Sequence, residues 1–140
     1  MKQPQTPAQT PTRAQPRSMV RPVFLNLLQI KMPVGAITSI LHRVSGVMMA
    51  AGVPLGLYLL WRSLDSEAGF AQVMALLHHR AFQAVVVVMV WALAHHMLAG
   101  VRHMLTDVNI GSTLHSARRS AWAVNLAAAA VALLALGVLP

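Results

Sequence analysis

Residues 81–101 read AFQAVVVVMVWALAHHMLAGV, a run in which Gln83, His95 and His96 are the only strongly polar side chains. At 1.5 Å per residue, a helix of about 20 residues crosses the ~30 Å hydrocarbon core of a bilayer, so this segment predicts a membrane-spanning helix. Two other runs repeat the pattern: residues 44–61, broken only by Ser45 and Tyr58, and residues 121–139, broken only by Asn125. Helix is expected to begin before residue 44, because Pro33 suits a first helical position. The fold expected is therefore an all-α membrane protein with three transmembrane helices, over about residues 34–61, 81–105 and 121–139, in a domain covering residues 21–140.

Working outward, the composition agrees with this solvent. Of 140 residues, 56% are hydrophobic and 10% charged, with a mean hydropathy of +0.60, where soluble domains carry about 25% charged residues. The chain contains no cysteine, which excludes a disulfide framework, a thiolate zinc site, an iron–sulfur cluster held by this chain and c-type haem attachment. Histidine, present seven times, is left as the residue for metal or redox work. The net charge of +8 would suggest nucleic acid on a soluble protein, but the basic residues flank the apolar runs instead. Residues 1–33 hold six of the eight prolines (Pro4, Pro7, Pro11, Pro16, Pro22 and Pro33) among Gln, Thr and Arg. The first twenty residues are read as a disordered Pro-rich cytoplasmic tail. No apolar run follows their basic residues as in a signal peptide, and the prolines would break a transit helix.

Lys and Arg are retained on the cytoplasmic side of a membrane. Lys2, Arg13, Arg17, Arg21, Lys31, Arg43, Arg102, Arg118 and Arg119 fall on one side of the expected spans, and only Arg62 and Arg80 on the other, beside Asp65 and Glu67. The N-terminus is therefore expected to be cytoplasmic, or on the matrix side in a mitochondrion, and the C-terminus to lie across the membrane.

Polar groups inside spans are costly and mark candidate sites. At 100° per residue, His96, Gly100, His103 and Asp107 form one stripe of the second span. A histidine on such a stripe suits haem iron, and a glycine one turn on gives a flat macrocycle room. The same histidine also suits a polar contact between helices with no metal. If Arg102 marks the interface, His96 lies roughly 9 Å below it, whereas His42 is expected at interface level, which argues against an internal His42–His96 pair. In the first span Ser39, His42, Arg43 and Gly46 share a face at the cytoplasmic mouth. A hydroxyl and a guanidinium one turn apart could donate to a quinone carbonyl or a haem propionate; alternatively, Arg43 snorkels to the headgroups and Ser39 bonds its own backbone. His78, His79 and His115 are read as solvated loop residues, and Gly52 with Gly56 around Pro54 as a site of close packing or a kink. The third span shows no site and is expected to pack against the other two. A transporter or proton channel would place carboxylates at mid-membrane, and the only acid near a span is Asp107.

Two segments, Ser39-Ile40-Leu41-His42-Arg43-Val44-Ser45-Gly46-Val47 and His96-Met97-Leu98-Ala99-Gly100-Val101-Arg102-His103-Met104-Leu105-Thr106-Asp107, resemble the signature segments of the cytochrome b membrane-anchor subunit of succinate dehydrogenase, the larger anchor of bacterial complex II. Arg21-Pro22, Pro33 and the order of the spans extend the resemblance over residues 21–139. It implies that His96 is one axial ligand of a b-type haem, the other coming from a second membrane-anchor subunit that completes the helical bundle. Ser39 and Arg43 would line the ubiquinone site, and His42 and His103 would stand near the haem propionates. A flavoprotein subunit and an iron–sulfur subunit would deliver electrons from succinate. The resemblance implies a bacterial inner membrane location, with lipid bilayer around the chain and no nucleic-acid partner. His95 departs from the pattern beside the expected ligand; His96 fits better because it shares the stripe of Gly100 and His103. A haem-free structural anchor of the fumarate reductase type is the alternative.

Overall fold

A computed structural model describes residues 31–139; the tail expected over residues 1–20 and the Arg21-Pro22 pair lie outside them. Four helices follow one another: α1 (Val34–Asp65), α2 (Glu67–Leu77), α3 (Arg80–Asp107) and α4 (Leu114–Val138). Three of them, α1, α3 and α4, are long and apolar enough to cross a membrane. Pro33 stands as the extended residue just before α1, where its missing N–H costs no helical bond. At 32 residues, α1 is about 48 Å long and exceeds the hydrocarbon thickness.

The residues between the first two spans, read as loop, contain helix α2. Ser66 ends α1 and caps α2, its hydroxyl accepting from the Gly69 N–H at 3.1 Å. Gly69 lies directly against the Arg62 carbonyl, so closely that a Cβ there would collide with backbone. The corner therefore needs glycine, and the apolar run Phe70–Leu77 behind it is too short to register as a span. Helix α4 begins seven residues before its expected span, which puts His115, Arg118 and Arg119 on a helix rather than in a loop. Thr113 caps it, accepting from the Ser116 N–H at 3.4 Å. Helix α3 ends in a left-handed turn at Asn109 (φ 62°), with Ile110 N–H on Leu105 O at 2.9 Å and Asn109 N–H on Thr106 O at 3.0 Å. This reciprocal pair satisfies two carbonyls that a helix end leaves open.

Helix α3 packs against both α1 and α4, while α2 packs chiefly on α1. The buried seam is made of Ala92 and Ala99 of α3 and Ala121, Val124 and Ala128 of α4, together with Thr38, Ser45, Gln83 and His95. Large apolar side chains such as Leu57, Trp61, Leu133 and Leu134 point outward. Small residues inside and bulk outside is the arrangement expected where the surroundings are hydrocarbon, since helices there gain from close approach rather than from burying leucine. Gly52 follows that rule, its open side filled by the end of Met89, whereas Gly56 has nothing within 4 Å.

Candidate functional site

The two polar stripes read from the sequence meet across the α1–α3 contact. Ser45 and Gly46 lie one turn after His42 and give the α3 side chains room. A Cβ at Gly46 would stand 2.9 Å from His96 Cε1 and 3.3 Å from its Nδ1, so only glycine admits the imidazole at this depth. His96 Nδ1 is 3.1 Å from the His42 carbonyl oxygen and 3.4 Å from Ser45 Oγ. A carbonyl only accepts, so Nδ1 carries the hydrogen and the lone pair is left on Nε2. Nε2 has no hydrogen-bond partner among the described residues, and His96 is half-buried rather than enclosed. This is the state in which histidine ligates a metal, one nitrogen oriented by a backbone carbonyl and the other open.

His42 stacks on His96 with ring centres 4.2 Å apart and planes 15° from parallel. His103 continues the row, its ring centre 5.2 Å from that of His42 and tilted by 53°. The expected separation in depth between His42 and His96 is thereby overturned. His42 stands eight residues, about 12 Å, into α1, not at its mouth. Arg102, used to mark the interface, is turned into the bundle: Nε donates to Ser120 Oγ at 3.0 Å and Nη2 to Ala117 O at 3.2 Å, tying α3 to the start of α4. The stacking still bars the two histidines from holding one iron between them. Stacked rings turn their faces to each other, whereas two histidines sharing one metal ion must each turn a ring nitrogen to it. Gly100 faces His42, whose Nε2 would be 3.5 Å from an added Cβ, an ordinary contact.

Ser39 is half-buried and Arg43 exposed, one turn apart on α1. Neither has a hydrogen-bond partner among the described residues. The backbone bond considered for Ser39 is made instead by its neighbour Thr38, whose Oγ1 donates to Val34 O at 3.0 Å. Asp107, the last member of the α3 stripe, is exposed at the helix end.

His95 turns the other way. It is fully buried, its Nε2 3.1 Å from Asn125 Oδ1 of α4, its ring near Trp91 at 5.4 Å, and its Nδ1 without a partner among the described residues. Asn125 Nδ2 donates onward to Thr38 Oγ1 at 3.1 Å. The third span, expected to carry no site, thus supplies the middle of a polar link between all three long helices. The signal available in the sequence was Asn125 itself, the one strongly polar side chain in its apolar run.

The family model for the transmembrane subunit of succinate dehydrogenase and fumarate reductase matches residues 17–136, from before α1 to near the end of α4. The chain belongs to this family. It is 36% identical over 105 residues to the succinate dehydrogenase cytochrome b556 subunit of Coxiella burnetii, covering 74% of this chain and 84% of that one. Against the protein of the same name from Paracoccus denitrificans it is 30% identical over 116 residues, 83% of this chain and 89% of that one. Membership of the succinate dehydrogenase/fumarate reductase family, with three long apolar helices, makes this a multi-pass helical membrane subunit.

Proposed function

We propose that this chain is the cytochrome b anchor of a succinate dehydrogenase, holding one b-type haem through His96 and helping to form the site where ubiquinone is reduced. The observation that carries the reading is the His96 imidazole, pinned at Nδ1 by the His42 carbonyl and open at Nε2. Among the described residues no group of three His, Asp or Glu side chains is placed to hold a metal ion. Haem, when bound, supplies a one-electron carrier within the membrane. A second membrane-anchor subunit would complete the hold on the haem, and an iron–sulfur subunit and a flavoprotein subunit would bring electrons from succinate.

The chain's own residues bind and orient. His96 fixes the iron's position relative to α1, and Gly46 keeps the space for its ring. His42 and His103 present imidazoles beside it, able to donate to haem propionates. The Ser39 hydroxyl and the Arg43 guanidinium, unpaired within the described chain, donate hydrogen bonds to a ubiquinone carbonyl oxygen, which becomes a stronger acceptor as the ring is reduced. The test uses membranes holding all subunits, with succinate as reductant, followed both by the reduced-minus-oxidised spectrum and by ubiquinone reduction. The unaltered complex is expected to show a b-type signal that succinate reduces. Arg43→Ala and Ser39→Ala are expected to slow quinone reduction, the former by about 10- to 100-fold if a charge-assisted bond is lost, with the haem signal intact. Normal quinone reduction in both variants removes them from the site, and absence of haem from every preparation favours a haem-free anchor.

The excess of basic residues beside one set of helix ends supports an N-terminus in the cytoplasm, and the relatives from Coxiella burnetii and Paracoccus denitrificans support a location in the bacterial inner membrane. Because the chain has no cysteine, single cysteines report this directly. A membrane-impermeant maleimide added to intact spheroplasts is expected to label Glu67→Cys and spare Ser112→Cys; the reverse pattern inverts the topology.

A further inference from the structure

We propose that Asn125 is a positioning residue for the iron ligand: by holding His95 it fixes the rotation of α3 about its own axis, and with it the direction in which His96 presents Nε2. This rests on the reading of His96 as the haem ligand.

His95 and His96 are consecutive on α3 and so point about 100° apart. Whichever of them faces the open side of the bundle is the one a haem can reach. The buried apolar residues of the α3–α4 seam, Ala92, Ala99, Ala121, Val124 and Ala128, are small. Methyl groups of this size let helices approach but do not key their rotation. The polar link adds a directional constraint to those that Arg102 on Ser120 and His96 on His42 supply. The Thr38 hydroxyl donates to the Val34 carbonyl at 3.0 Å, with Asn125 Oδ1 as a second acceptor at 3.3 Å, and receives Asn125 Nδ2–H at 3.1 Å. Asn125 Oδ1 is then turned to His95, and Nε2 of that ring donates to it at 3.1 Å. One side chain of α4 thus ties α3 to the second turn of α1. A single polar residue in an apolar seam is a means by which helices set register.

The link is also made where a plain packing role would have favoured an apolar residue. His95 is wholly enclosed and its Nδ1 has no partner among the described residues, an arrangement that costs stability relative to a well-packed apolar side chain. Holding His95 inward leaves His96 as the histidine with a free nitrogen on the open side.

The experiment compares Asn125→Leu, His95→Leu and the double variant in the fully assembled complex. It reads the electron paramagnetic resonance g-values of the oxidised haem and the rate of haem loss to excess apomyoglobin. Asn125→Leu is expected to retain haem but with shifted g-values and loss about 10- to 100-fold faster, the range typical when a residue that orients a ligand is removed. If Asn125 acts through His95, the double variant matches His95→Leu alone. Unaltered g-values at full occupancy in Asn125→Leu, or shifts that simply add in the double variant, overturn the positioning role. Should Asn125→Leu not assemble, Thr38→Val cuts the link at its far end and must shift the g-values in the same direction; no shift overturns the proposal. Full haem in His96→Leu overturns the ligand reading and this inference with it, whereas a normal signature in Asn125→Leu overturns the inference alone.

Discussion

Replacing His96 by leucine is expected to abolish the b-type spectrum of the assembled complex, with haem affinity lowered more than ~100-fold, since even residues that only orient a ligand are worth 10- to 100-fold. His95→Leu is expected to leave the haem bound. The two residues are adjacent and chemically identical, so the contrast tests geometry alone. His96 offers an open Nε2 oriented by a carbonyl 3.1 Å from its other nitrogen. His95 is enclosed, and its Nε2 is engaged by Asn125. To reach haem, His95 would have to break that bond and turn α3 by a full residue step, taking from Asn125 Oδ1 its His95 partner within the membrane. The measurement is the pyridine haemochrome content per assembled complex. Loss of haem from His95→Leu with retention in His96→Leu would reverse the assignment.

The second large effect is expected at Gly46. A valine there drives its Cβ to within 2.9 Å of His96 Cε1, and the ring has little freedom to yield. Nδ1 is held by His42 of the same helix, and the His42 ring covers one face at 4.2 Å. Helices α1 and α3 must then part. Overpacking of this kind costs about 1–3 kcal/mol, enough to lower haem occupancy several-fold or to prevent assembly. The other glycines grade the effect. Gly100→Ala meets His42 at an ordinary contact distance of 3.5 Å and is expected to be mild, and Gly56→Ala meets nothing within 4 Å and should leave haem unchanged. Equal haem content in all three variants would show that the space at Gly46 is not needed.

The three long helices were legible because an apolar run has a length, and length is all that a bilayer asks of it. Helix α2 was not, since 11 residues fall short of a span and its start depends on Ser66 and Gly69, whose roles show only once the Arg62 carbonyl is in place behind them. The stripe of His96, Gly100 and His103 was legible from helical periodicity, as was the face of Ser39, His42 and Arg43. How the two faces meet was not. Relative depth depends on where each helix begins and on the company its charges keep, and Arg102 keeps company with Ser120 and Ala117 instead of the headgroups. Asn125 stood out as polar, but its partners sit 30 and 87 residues away, and a single chain of letters carries no mark of which faces will touch.

The seam of alanines and buried polar groups has a consequence for handling the protein. Because bulky apolar side chains point outward, cohesion between the helices lies in close backbone approach and a few hydrogen bonds, which detergent headgroups or alcohols can compete for. Within each helix the backbone bonds are shielded and local. Such conditions therefore separate the helices while each stays helical, and helical content measured by circular dichroism is a poor gauge of whether His96 still stands against His42.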